Sequence, residues 1–170
     1  MKNALEKMEL SNEDMEKELD RTLELFKQLE FEQEMQNAID KLKALEEEQQ
    51  ELLDENKEKN SKPEELKEKQ DELNKKAESL KEDLEELKKK NEELENPNEL
   101  PDQKEQSESL QEEMQNASDQ LEKNNRNKSQ ESQENAKQQM QEMREQMEST
   151  MASMQSQQNM ENMEDLRALL

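Results

Sequence analysis

Five methionines, Met140, Met143, Met147, Met151 and Met154, recur at intervals of three and four residues. On a helix this spacing gathers their thioethers into one stripe. Three uses are open to such a stripe. Thioethers are soft ligands that suit Cu(I), but the chain has no Cys or His to reinforce a metal site. Flexible, polarisable side chains also make an adaptable surface for varied apolar partners. The plainest use is a soft packing seam against another helix. We expect the seam, keep the partner surface as the alternative, and expect no bound metal.

The other chemistry-bearing residues are not arranged for catalysis. Acidic runs such as Glu46-Glu47-Glu48 and Glu92-Glu93 lack the Asp- and Gly-containing loop that converges carboxylates on Ca²⁺. They read as solvated helix faces. Lys88-Lys89-Lys90 falls near the end of a helical segment, where cations complement the helix dipole. The serines have no His to activate them, and a chain without glycine has no Gly-x-Ser-x-Gly elbow. Asn116-Ala117-Ser118 and Asn127-Lys128-Ser129 match the glycosylation pattern, as chance allows where Asn and Ser are abundant. We expect no catalytic residue, no cofactor and no small-molecule substrate.

Composition sets the elements that position these residues. Of 170 residues, 43% are charged and 26% hydrophobic, with a formal net charge of −23. That balance repels nucleic acid and anionic membrane surfaces. Ile39, Thr22 and Thr150 are the only β-branched residues, so a β-sheet has almost nothing to build on. An ordinary globular core is out of reach, which leaves helices packed along narrow seams, or disorder. Met1-Lys2-Asn3-Ala4-Leu5 runs into Glu6 without a signal-type apolar stretch. The longest apolar run is Ala168-Leu169-Leu170, so we expect no membrane insertion by this segment. The absence of Cys leaves the redox compartment open.

Punctuation then divides the chain. Residues 1–10 read as a short helical lead-in. Ser11 reads as an N-cap, with Leu10 and Met15 as a hydrophobic staple, opening a first helix over 11–60. A second helix over 61–95 starts at Ser61-Lys62-Pro63-Glu64, with capping-box spacing, and stops before Asn96-Pro97. A proline linker follows at 96–102, then a third helix at 103–121. Residues 122–135 contain nothing apolar and read as weak helix or disorder. A Met-rich helix occupies 136–170. The fold class expected is all-α without a β-sheet: an elongated antiparallel coiled-coil hairpin followed by a long Met/Gln-rich helix, partly disordered.

The hairpin rests on a pairing pattern. Leu66, Leu73, Leu80, Leu87 and Leu94 recur every seven residues, with Gln70, Ala77, Leu84 and Asn91 between them. Folding this series back on the first helix gives facing residues whose numbers add to about 119. Leu66 then meets Leu53, Leu73 meets Leu45, Ala77 meets Leu42, and Leu80 meets Ile39. Leu84 meets Met35, Leu87 meets Phe31, and Leu94 meets Leu25. The polar positions coincide as well, Gln70 with Gln49 and Asn91 with Gln28, so buried amides satisfy one another. The competing arrangement is a parallel dimer through the leucine series, with Asn91 setting register. The interaction seam expected is Met35, Ile39, Leu42, Leu45 and Leu53 against Leu66, Leu73, Ala77, Leu80, Leu84, Leu87 and Leu94. A third helix carrying Leu110, Met114, Ala117 and Leu121 is expected to cover Met15, Leu19 and Phe26.

Four segments also carry a resemblance: LSNEDMEKELDRTLELFKQLEFEQ at 10–33, NPNELPD at 96–102, MQNASDQLEKNN at 114–125 and NMEDLRALL at 162–170. Together they resemble an internal stretch of a family of large, uncharacterised Bacteroidota proteins classed as a domain of unknown function. The resemblance implies a membrane-anchored cell-envelope parent with long coiled-coil and Gln/Met-rich regions, and it brings no activity. Apolar residues accumulating at Leu166-Arg167-Ala168-Leu169-Leu170 suggest that the last helix continues in that parent. The function expected is a non-enzymatic structural or scaffolding segment whose partners are proteins, through self-association or other helices of the parent. The alternative is a chaperone-like or peptide-binding module using Met140–Met163 as an adaptable apolar surface.

Overall fold

The computed structural model describes residues 2–58, 60–101 and 103–168, and these form four helices with no strand among them. They are α1 (Lys2–Lys57), α2 (Pro63–Glu92), α3 (Gln103–Glu122) and α4 (Arg126–Ala168). With no Gly or Pro before Pro63, α1 runs unbroken for 56 residues, about 84 Å at 1.5 Å per residue. It passes straight through Ser11, so the helix start expected there is corrected. A serine without a helix breaker beside it does not stop propagation. The Leu10–Met15 staple and the apolar accumulation at 166–170 involve side chains outside those described.

Each break in the chain has a local cause. Pro63 opens α2, but the N-cap is Lys62 in extended conformation, and no side chain caps it. Ser61, expected to cap, instead donates its hydroxyl to the Glu55 carbonyl at 2.6 Å. α2 ends at Glu92 because the Asn91 side chain grips the linker beyond it. Asn91 Nδ2 donates to the Asn98 carbonyl and Oδ1 accepts from the Asn98 N–H, both at 2.8 Å. Asn91 therefore serves the proline linker and does not pair with Gln28. Between α3 and α4, Asn124 takes φ 57°. The Asn125 N–H bonds to the Gln120 carbonyl at 2.8 Å and the Asn124 N–H to that of Leu121 at 2.9 Å. This is a Schellman motif in which Asn fills the left-handed position usually taken by Gly.

The helices close into a ring in which α1 and α3 each pack against both α2 and α4. Polar pairs along each seam show that neighbours run antiparallel, with Asp71 and Lys81 on α2 meeting Ser118 and Gln111 on α3. Lys76 and Lys69 on α2 reach back to Glu48 and Glu55 on α1. Gln106 and Ser109 on α3 bond to Gln146 and Gln139 on α4. Lys137 and Arg144 on α4 reach Gln50 and Glu46 on α1. The arrangement is an up-down-up-down four-helix bundle. The third and fourth helices thus complete the core instead of trailing the first pair. Because α3 lies on the far side from α1, it leaves Met15, Leu19 and Phe26 exposed, contrary to expectation.

Residues 122–135, expected to be weak or disordered, hold α4 from Arg126 onward and put Ser129 and Gln133 inside the bundle, followed by Ala136. Ser129 and Gln133 carry the methionine spacing backwards in polar form. Gln133 donates to Gln70 Oε1 at 2.9 Å, and Gln70 exchanges amide hydrogen bonds with Gln49 at 3.0 and 3.2 Å. Asn56 Nδ2 donates to Gln133 Oε1 at 2.8 Å and to Ser129 Oγ at 3.3 Å. A chain of buried amides therefore joins α1, α2 and α4. Each amide would be costly to bury alone, and each has at least one partner here, although the Asn56 Oδ1 is buried without one. Removing Gln70 takes a partner from both Gln49 and Gln133, so Gln70→Leu is expected to lower stability by about 1–3 kcal/mol. Because Gln133 also serves Asn56, Gln49→Leu, Gln70→Leu, Gln133→Leu and Asn56→Leu combined should recover most of that loss. Urea denaturation of both variants checks this, and a quadruple variant less stable than the single one would refute the account.

Candidate interaction surfaces

The bundle interior consumes the expected seam. Met35, Ile39, Leu42, Leu45, Leu53, Leu66, Leu73, Ala77, Leu80, Leu84, Leu87 and Leu94 are all buried. One pairing at the end of the series differs, since Leu94 is buried while Leu25 is 52% exposed. There α2 has ended and the chain is turning into the linker. Lys27 donates to the Glu93 carbonyl at 3.0 Å, and the Glu95 N–H bonds to Glu24 Oε1 at 2.8 Å.

The methionine stripe is corrected as a partner surface. Met140, Met143, Met147, Met151 and Met154 are 0–8% exposed and belong to one cluster with Phe31, Leu87, Leu110 and Met114. Thioethers so enclosed present no surface to a client. Their flexibility serves packing, filling the space that a chain poor in branched aliphatic residues leaves between helices.

Sequence reasoning missed several positioning residues. Arg126, the first residue of α4, donates to the carbonyls of Glu58 and Ser61 and so ties the α3–α4 turn to the α1–α2 turn. Arg144 donates to Glu46 on α1 at 3.0 Å and to Glu148 one turn ahead. Hydrogen bonds to Glu46 and Glu148 hold its guanidinium more firmly protonated than usual. Asp71 on α2 is pushed up by partial burial, but hydrogen bonds from Lys67 and Ser118 and the Lys67 and Lys75 charges outweigh that, leaving its carboxyl below the usual range. Asn56, Ser129 and Gln133 gave no apolar signal. Stepping the methionine spacing back from Met140 through Ala136 would have found the last two.

Outside the core, the grooves are shallow and open. One of about 680 Å³ lies where α1 passes the end of α2, lined by Lys17, Arg21, Glu24, Lys27, Glu93 and Glu95 among others. Its three cations are interleaved with four carboxylates, Asp20 included, so the groove does not focus one sign of charge strongly. Among the described residues no helix is long and apolar enough to cross a membrane. The most distinctive surface is apolar. Met15, Leu19, Leu23, Leu25, Phe26 and Leu29 on α1 are 52–69% exposed, and Met160 and Met163 near the end of α4 are 58% and 56% exposed.

These features define a helical bundle whose polar interior groups set packing and whose unusual surface is a helix face. No protein-family model matches the chain, and no curated protein or solved structure matches it either. The burial pattern makes a direct prediction for the methionines. Brief peroxide treatment, followed by peptide mass mapping, should oxidise Met15, Met160 and Met163 first and leave Met140 and Met147 protected. Replacing Met140, Met143 and Met147 singly by Leu should change stability by less than about 1.5 kcal/mol, because volume is conserved.

Proposed function

We propose that the chain is a non-enzymatic helical scaffold that holds other proteins at a fixed distance and joins them through helix–helix contacts. The observation that carries this reading is the division of its apolar residues. One set fills the bundle, and a second set stands exposed where α1 extends beyond the level at which α2 ends. A bundle stiffened along its whole length and carrying an apolar helix face at one end suits a spacer with a docking arm. Among the described residues, the ionisable groups lie along open seams, without the desolvated pocket that acid–base catalysis requires. The resemblance of four of its segments to Bacteroidota envelope proteins supports placing this scaffold within a membrane-anchored envelope parent.

Two measurements test the reading. Small-angle scattering should give a rod with a longest dimension of about 85 Å, set by α1. A compact sphere or an expanded coil would count against it. Leu42→Cys with Ala77→Cys, oxidised in dilute solution, should give a fast-migrating monomer on a non-reducing gel. A covalent dimer through identical positions would mean that two parallel chains, and not one folded chain, form the seam.

A further inference from the structure

The exposed face of α1 does not continue the core. The buried seam of α1 is Phe31, Met35, Ala38, Leu42 and Leu45, at alternating steps of four and three. Carried toward the N-terminus, that phase reaches Gln28, Glu24, Arg21 and Lys17. The bundle touches this polar phase, where Glu24 receives the Glu95 N–H. Met15, Leu19, Phe26 and Leu29, with Thr22 at the position between Leu19 and Phe26, keep the same rhythm but lie two residues out of phase, about 200° around the helix at 100° per residue. They therefore form a second seam facing away from the bundle. It spans four turns, about 21 Å. Leu23 and Leu25 widen its middle, and the six side chains are 52–69% exposed. A contiguous apolar face of this kind on a chain so poor in apolar residues marks an interaction site.

The borders of the face select its occupant. In heptad terms its flanking positions are Glu16, Glu18, Glu30 and Glu32, with Leu23 and Leu25 between. Glu32 also accepts from Gln158 of α4, so Glu16, Glu18 and Glu30 are the borders turned fully outward. In an antiparallel pair of copies, Glu16 would meet a second Glu30, and Glu18 a second Glu32. In a parallel pair each copy would set carboxylates beside the other's Leu23 and Leu25. Both leave carboxylates uncompensated, and a net charge of −23 on each chain adds to the repulsion. A helix with an apolar stripe bordered by Lys or Arg satisfies both the stripe and its borders. We infer that the Met15–Leu29 face of α1 is a docking seam for a basic amphipathic helix of about four turns. This inference rests on the scaffold reading and gives its docking arm a partner chemistry.

The test uses the whole chain and two synthetic 18-residue amphipathic peptides of identical apolar pattern, one Leu/Lys and one Leu/Glu, each with a single Trp. Since the chain has no Trp, the fluorescence reports the peptide alone. The Leu/Lys peptide should bind saturably at one per chain, and the Leu/Glu peptide at least tenfold more weakly. Leu19→Glu with Phe26→Glu should weaken Leu/Lys binding at least tenfold while helicity and melting stay unchanged, because both side chains are exposed. Glu16→Lys with Glu30→Lys should shift preference toward the Leu/Glu peptide. Undiminished binding to the Leu19/Phe26 variant would show general attraction to an acidic chain and overturn the inference. So would equal affinity for both peptides, no binding, or a sedimenting dimer abolished by the Leu19/Phe26 substitutions. Peroxide protection of Met140 in the same samples separates the two readings. Protection without peptide binding removes the docking seam alone, whereas loss of protection in the unsubstituted chain removes the scaffold as well.

Discussion

Scarcity of apolar side chains governs this molecule. With 26% hydrophobic residues, each helix brings one narrow stripe to the bundle, and a stripe can be covered only by neighbours on either side. Two such helices leave much of each stripe wet, whereas four in a ring turn these stripes inward, and of the large apolar side chains described on α1 only those of the Met15–Leu29 face stay outside. The long helices follow from the same scarcity, since a thin core must be long to bury enough area to offset the entropy of ordering the chain. Methionine extends this economy, because an unbranched side chain can fill whatever gap the ring leaves.

The buried amides answer a different problem. Seams built from repeating Leu and Met at heptad spacing are nearly the same after a shift of one heptad, so apolar packing alone fixes alignment weakly. Gln49, Gln70, Gln133 and Asn56 remove that freedom, because a shifted helix would set an amide against leucine. The nearby turns are fastened too, by Arg126 across the two loops and by Asn124 in its left-handed conformation. At the opposite end Asn91 holds the proline linker. Polar residues thus act as alignment points along an otherwise repetitive core.

The two phases of α1 give the bundle its asymmetry. From Phe31 onward the apolar phase faces the bundle. Before it, the inward phase turns polar and the apolar residues move to the opposite side. One helix is therefore both a wall of the core and a carrier of an outward face. Glu16, Glu18, Glu30 and Glu32 border that face, and the stripe between them is exposed.

Much of this was legible in the residues. The scarcity of β-branched residues and the absence of glycine dictated helices, the prolines marked two of the three breaks, and leucine spacing identified the buried face of α2. The Gln49–Gln70 pair emerged from the coincidence of polar positions. Local pattern misled where a neighbour decided the outcome. Ser61 turned to the Glu55 carbonyl, Asn91 to the linker, and the stretch before Ala136 became an ordered wall of the core because Asn56 and Gln70 supply partners for its amides. The methionine stripe showed its helical period in the sequence, but whether it faced water or a neighbour depended on the ring closing. Sequence by itself determines which residues share a helix face, because that follows from a fixed 100° step along one chain. Which faces meet, and which stay exposed, only the tertiary structure decides, because burial is a property of what other helices bring to the same place.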